Sequence, residues 1–196
     1  MNSRYSSTRF PGRLFNCLVA LTLLPLALAA HASSPQVGNP LPAVVIEEKG
    51  EITLSEDELD YVAWSSSSNP GKVHILQYFP GTQSASKIFE PFTDLLRDNL
   101  EMNSYHVTTL VNLDEAMWGT TGFVVSEVES KKKEFPLATM VLDKDGTGAR
   151  AWKLGDKGSV LVVLDQDGVI RYVTHAAMSE EELSQTLATV RNIAGQ

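Results

Sequence analysis

Hydrophobic spacing along this chain changes period several times, and each change predicts an element. A continuous apolar run extends from Leu14 to Ala30, broken at Pro25. After a polar stretch, Val44-Val45-Ile46 and Glu51-Ile52-Thr53-Leu54 flank Glu47-Glu48-Lys49-Gly50, which predicts a β-hairpin. Ser55-Glu56-Asp57-Glu58 has capping-box spacing and predicts a short helix to about Ala63, with Trp64 packed beneath it. Val73 to Phe79 is apolar on both faces apart from His74 and Gln77, the pattern of a strand buried inside a sheet.

Ile88, Phe89, Phe92, Leu95, Leu96 and Leu100 then recur at helical spacing. Because that spacing continues across Pro91, one helix kinked there is expected, rather than a short turn and a helix starting at the proline. Tyr105 to Leu113 reads as the next strand and about Phe123 to Lys133 as the next helix. Lys131-Lys132-Lys133 at its end reads as a solvated terminus that complements the helix dipole. Two strands, Leu137 to Leu142 and Val160 to Leu164, each run into an Asp-x-Asp-Gly turn. The second continues as a hairpin through Val169 to Thr174. Ser179 with Glu182 caps a closing helix whose inward face carries Leu183, Leu187, Val190 and Ile193. The order predicts a mixed α/β sheet with helices on both faces and an extra N-terminal β-hairpin.

Composition changes this picture at the N-terminus. Arg4, Arg9 and Arg13 precede the apolar run, which ends in Ala30-His31-Ala32. That is the form of a cleavable signal peptide over residues 1–32, with a polar, Pro-rich lead-in at 33–42 and one domain at 43–196. The chain carries 16 Lys+Arg and 24 Asp+Glu. Removing the three leader arginines leaves 13 against 24, a net charge of −11. An exported protein of that charge is a poor nucleic-acid binder and a poor ligand for anionic lipid, so neither nucleic acid nor, after cleavage, a membrane is expected as partner. Cys17, the single cysteine, leaves with the leader, which excludes disulfide, thiolate-metal and thiol chemistry in the mature protein.

Ordered matches run through nearly the whole mature chain. They include Gly71-Lys72-Val73 with Leu76-Gln77, Thr82 with Ser84-Ala85, and Thr108-Thr109 with Val111-Asn112 and Asp114. Ala149, Ala151-Trp152 and Leu154 come next, then Val162-Val163-Leu164-Asp165 with Asp167-Gly168. The set resembles the YtfJ family, small periplasmic proteins of Gram-negative bacteria. The element order, with the Val37-Gly38-Asn39-Pro40-Leu41-Pro42 entry, resembles secreted thiol-disulfide proteins and peroxiredoxins. The resemblance implies a thioredoxin-like fold and a periplasmic address, and no known activity. It also locates a departure: Gly81 to Ser86 stands where redox-active relatives place Cys-x-x-Cys. The proline that usually precedes the third core strand is also missing, since Gly155-Asp156-Lys157-Gly158-Ser159 leads into Val160.

The candidate chemistry therefore lies at Thr82, Gln83, Ser84 and Ser86, at a strand-to-helix junction. Amides at a helix start attract anions, so these residues form a candidate pocket for a ligand or partner, against plain helix capping. A serine nucleophile at Ser84 or Ser86 would need a base such as His74 or His106 in reach, and no Gly-x-Ser-x-Gly elbow is present. His74, His106 and His175 lack the short spacing of a metal pair and read as packed or surface residues. The Asp-x-Asp-Gly copies read as turns rather than calcium loops. Core packing is the role expected of Met117, Trp118 and Trp152. The expectation is a non-catalytic periplasmic thioredoxin-fold protein, with no cofactor or metal, that binds an unknown periplasmic protein or small ligand. The competing class is an enzyme of unfamiliar type working through the junction hydroxyls.

Overall fold

The structure, a computed structural model, describes residues 1, 32–68 and 70–195. The expected signal peptide thus lies almost wholly outside the described residues. Among the described residues twelve elements occur in order: β1 (Val45–Ser55), β2 (Glu58–Ser65), β3 (Val73–Pro80), α1 (Gln83–Ser86), α2 (Glu90–Asn99), β4 (Tyr105–Asn112), α3 (Thr121–Glu134), β5 (Thr139–Asp143), α4 (Thr147–Ala151), β6 (Val160–Leu164), β7 (Ile170–Thr174) and α5 (Glu180–Ala194). The strands form one sheet in the order β2-β1-β5-β4-β3-β6-β7. β3, β4 and β5 are mutually parallel, and the remaining pairings are antiparallel.

The steps from β3 to β4 and from β4 to β5 move the same way across the sheet. Right-handed crossovers then place α2 and α3 on the same face. That face carries Val73, Ile75, Phe79, Val111, Leu142 and Val163, packed with Phe92 and Leu96 of α2 and Leu187 and Val190 of α5. The opposite face carries Leu76, Tyr78, Leu110, Val141, Val160 and Val162. Its cover is thinner: Trp152 after α4, Trp64 from β2, and Val44 at the end of the lead-in. The lead-in docks along β7, with Gly38 N donating to Ile170 O, Ile170 N donating to Asn39 O, and a bridge between Pro40 and Val169.

Three elements differ from the sequence reading. First, residues 47–50 do not turn. β1 runs straight through them, with a register shift between Ile46 and Glu51 and left-handed backbone at Lys49 and Gly50. A glycine inside a strand marks a bulge as readily as a turn. Second, Ser55-Glu56-Asp57-Glu58 is the hairpin turn and not a helix start. Glu56 (φ 48°) and Asp57 (φ 71°) are both left-handed, as a two-residue turn of the mirror-image type requires. The turn leads into β2, whose Leu59 and Tyr61 share one face at period two while Trp64 faces the other. Third, the helix expected to kink at Pro91 is two helices. α1 stops at Ser86, and Pro91 lies in the first turn of α2, where its missing N–H breaks no helical bond.

α4 went unpredicted because it is one turn long. It starts after Gly146 (φ 66°), and the Asp143 carboxylate accepts from the amides of Thr147 and Gly148. The first Asp-x-Asp-Gly copy therefore turns into a helix, whereas the second closes the β6–β7 hairpin through Asp165, which accepts from Asp167 N and Val169 N. Lys132 is also no solvated terminus: it is buried and donates to Pro136 O and Ala138 O. The capping box of α5 forms as expected, between Ser179 and Glu182.

Two variants test these local assignments by chemical denaturation. Glu56→Asn with Asp57→Gly supplies the pair this turn prefers and raises stability by about 1 kcal/mol. Gly148→Ala places a methyl 2.6 Å from Tyr78 Cε2 and lowers it by about 1–3 kcal/mol.

Candidate functional site

The parallel strands β3, β4 and β5 end together at Pro80, Asn112 and Asp143, which are neighbours in register. Segments 81–86, 113–120 and 144–147 leave those ends, and 155–159 enters β6 at the same end of the sheet, where Val160 pairs with Tyr78. Asn112 holds its centre: it is buried, its main-chain O accepts from Gly81 N at 2.7 Å, and its Oδ1 accepts from Asp114 N at 3.1 Å.

The residues singled out in the sequence sit here, in a single turn of helix. Thr82 is extended (φ −128°, ψ 150°) and its Oγ1 accepts from Ala85 N at 3.3 Å. Ser86 Oγ donates to Gln83 O at 3.0 Å, and the hydroxyls of Thr82 and Ser84 lie 3.4 Å apart. Thr82 and Ser86 are half-buried, while Gln83 and Ser84 are exposed. Thr82 acts as a helix cap. A helix of four residues sums few peptide dipoles, so its field on an anion is weak. His74 and His106, the bases an acyl-transfer scheme would need, hydrogen-bond Thr108 and Thr139 instead.

Beside this turn lies an apolar surface. Met117 and Phe123 are strongly exposed, and Trp118 is fully exposed, which corrects the core role expected of Met117 and Trp118. Their chain neighbours Ala116 and Val124 border the junction. A Cβ on Gly81 would lie 3.3 Å from Val124 Cγ1 and 3.4 Å from Ala116 Cβ, so that glycine lets the strand end touch the loop carrying Trp118. No periodicity distinguishes an exposed loop tryptophan from a buried one, so the sequence held no signal for this. Trp152, by contrast, is buried as expected, donating from Nε1 to Pro42 O and meeting Tyr78 edge-on at 5.7 Å.

Two further groups at this end were missed. Tyr78 OH donates to Asp143 Oδ2 at 2.9 Å and accepts from Ala149 N at 3.1 Å. Burial and the neighbouring carboxylate push the Tyr78 hydroxyl far above the usual phenol range, so it acts as a fixed donor. Glu115 Oε1 accepts from Lys157 N at 2.6 Å, tying the β4–α3 loop to the segment before β6.

Away from this surface, parallel register sets His74 beside His106, with ring centroids 5.4 Å apart and planes at 62°. His74 is 4% exposed, and its Nε2 bonds Thr108 Oγ1 at 2.7 Å. Burial, helped by His106, pushes its pKa down to about 4. Burial also lowers His106, reinforced by Lys72 and Lys132. Among the described residues no group of three or more His, Cys, Asp or Glu is placed to hold a metal. One cavity of about 200 Å³ includes Leu41, Ser67, His74, Leu164 and Asp167 in its walls, and another of about 310 Å³ borders Glu47, Glu48, Asp143 and Asp145. Residues 81–86 line neither.

Residues 36–193 match the model of a family described as "Bacterial protein of unknown function (YtfJ_HI0045)". YtfJ of Escherichia coli (strain K12) is 33% identical over 177 residues, covering 90% of this chain and 96% of that relative. Among solved structures, a candidate thiol:disulfide interchange protein DsbE from Chlorobium tepidum aligns with a TM-score of 0.55 at 12% identity, over 83% of this chain and 100% of that one. A candidate protein disulfide isomerase from Bacteroides thetaiotaomicron gives 0.53 at 18% identity, over 86% and 96%. The fold is thioredoxin-like.

The His74 shift fixes the sign of a pH dependence. Its folded value lies below the ordinary 6.5, so above pH 6.5 the ring is neutral in both states. Between pH 6.5 and about 4 only the unfolded chain takes the proton, and stability falls as pH falls. Below about pH 4 this contribution levels off, after a loss of about 3 kcal/mol. Urea titrations at steps across this range will show that decline, and His74→Gln will make it shallower, leaving the contribution of His106.

Proposed function

We propose, for a chain that belongs to the YtfJ_HI0045 family, a role as a periplasmic thioredoxin-fold protein that binds a partner protein and carries no redox centre. The observation that carries this reading is the exposure of Met117, Trp118 and Phe123, whose chain neighbours Ala116 and Val124 lie beside Gly81, immediately before Thr82. A fully exposed tryptophan loses hydration favourably only when something covers it, and aromatic residues with Met concentrate in recognition surfaces. Thr82, Gln83, Ser84 and Ser86 supply polar groups at the edge of that patch, as a binding rim does. Segment 81–86 contains no cysteine, so contact there forms no mixed disulfide. The leader supports the periplasmic address through its three arginines, its apolar run and its Ala-His-Ala end.

The test places a photoreactive amino acid at position 118 in living cells, with the same reporter at exposed Leu137 as control. The expected result is a discrete adduct in the periplasmic fraction from position 118 and none from 137. Mature protein beginning at Met1 and held in the cytoplasm would overturn the address. Thr82→Ala with Ser84→Ala and Ser86→Ala removes the adduct while costing about 1 kcal/mol of stability, the ordinary loss of a cap. An undiminished adduct in that triple variant would reduce those hydroxyls to capping alone.

A further inference from the structure

The 200 Å³ cavity lies at the opposite end of β3 from Thr82, roughly 25 Å away along the strand. We propose that this cavity binds a small organic cation, a primary ammonium on a compact apolar body, with the ammonium at Asp167 and the body against Leu41 and Leu164.

The walls are built and held. They come from three separate segments, around Leu41, Ser67 and Leu164 to Asp167. Val44 N donates to Ser66 Oγ at 2.9 Å and Ser66 N to Val44 O at 3.0 Å, which joins the first two segments. The Asn39–Ile170 bond and the Pro40–Val169 bridge join the first to the third. The site is a cleft open to solvent, with His74 and Leu164 buried and Pro40, Ser67 and Asp167 exposed, and its mutually bonded walls limit the ordering cost of binding.

The lining specifies the chemistry. Leu41, Pro40 and Leu164 provide apolar wall, while Ser67 and the His74 ring provide a few polar groups, the usual mix of a small-molecule site. His74 is buried and, by the shift described above, uncharged near neutral pH, so it adds no positive charge. Among the described residues no Lys or Arg lines the cavity. Asp165 lies two residues before Asp167, but its carboxylate is engaged: Oδ1 by two amides, and Oδ2 by Arg171 at 2.6 Å. Asp167 is then the one charged side chain in the lining, and it is an anion. The volume modestly exceeds the roughly 150 Å³ that accommodates a benzene ring. One ring, or a branched chain of similar bulk, is the size that fits.

Benzylamine is the probe, with benzyl alcohol and benzoate as shape-matched controls. The protein is recovered from cells, labelled with ¹⁵N and titrated while the His74 imidazole resonance is followed. The expected result is a saturable shift with a midpoint of about 1–10 mM. Benzyl alcohol binds more weakly and benzoate does not bind. Asp167→Asn, at an exposed position, keeps the backbone spectrum and weakens benzylamine about fivefold. Ser67→Phe fills the cavity and abolishes the shift. No saturable shift at His74 up to about 100 mM would overturn the proposal. So would benzoate binding as tightly as benzylamine, an unchanged midpoint in Asp167→Asn, or full binding in Ser67→Phe.

Discussion

β3 has no solvent face, and most of the structure serves to satisfy it. Seven of its eight residues are buried. Its backbone is paired on both sides, by parallel β4 and antiparallel β6. Its polar side chains need partners at fixed heights, because a buried polar group without one costs on the order of 1–3 kcal/mol. Neighbouring β4 supplies Thr108 for His74 and Thr109 for Gln77, and β5, one strand further on, supplies Asp143 for Tyr78. The last of these also starts α4, since the carboxylate that receives Tyr78 receives the amides of Thr147 and Gly148. One carboxylate thus locks β3, β5 and the thin second layer together.

That arrangement separates two ends of the sheet. At the end where β3 to β5 stop, the turn at Thr82 is closed by its own hydrogen bonds, and the exposed groups are Met117, Trp118 and Phe123. The same loops also expose Asp114, Lys144, Asp145, Asp156 and Lys157, so charged side chains accompany the apolar ones at this end. At the other end, the thin cover over the second face leaves a cavity beside a buried imidazole. The thioredoxin-like frame does not depend on cysteine, because its core clusters are built of aliphatic and aromatic side chains, with the Tyr78 hydroxyl bonded to Asp143. Cysteines at the β3–α1 junction would add chemistry without adding core.

Legibility in the sequence tracked how many residues carried each signal. β3 and β4 were read from runs of eight residues rich in apolar and β-branched side chains, and α5 from a helical period to which the Ser179–Glu182 box added a second signal. Errors fell where one short motif had two physical outcomes. Gly50 can end a strand or bulge it, and the neighbouring β5 made it a bulge by pairing with Lys49, Gly50 and Glu51. Ser-Glu-Asp-Glu can cap a helix or close a hairpin, and pairing of Ser55 with Glu58 decided for the hairpin. α4, five residues long, had no period to detect.

By itself the sequence determined the mixed sheet, the absence of thiol chemistry after position 17, and the position of the β3–α1 junction. These are properties of composition and of local period, which need no knowledge of what lies across the sheet. Tertiary structure alone decided that Trp118 faces solvent while Trp152 does not. It decided equally that His74 and His106 are neighbours, and that Asp167 is the charge in a cavity wall. Each of those depends on register and chain packing between residues far apart in sequence, and pairing energies over such distances leave no periodic trace in the chain.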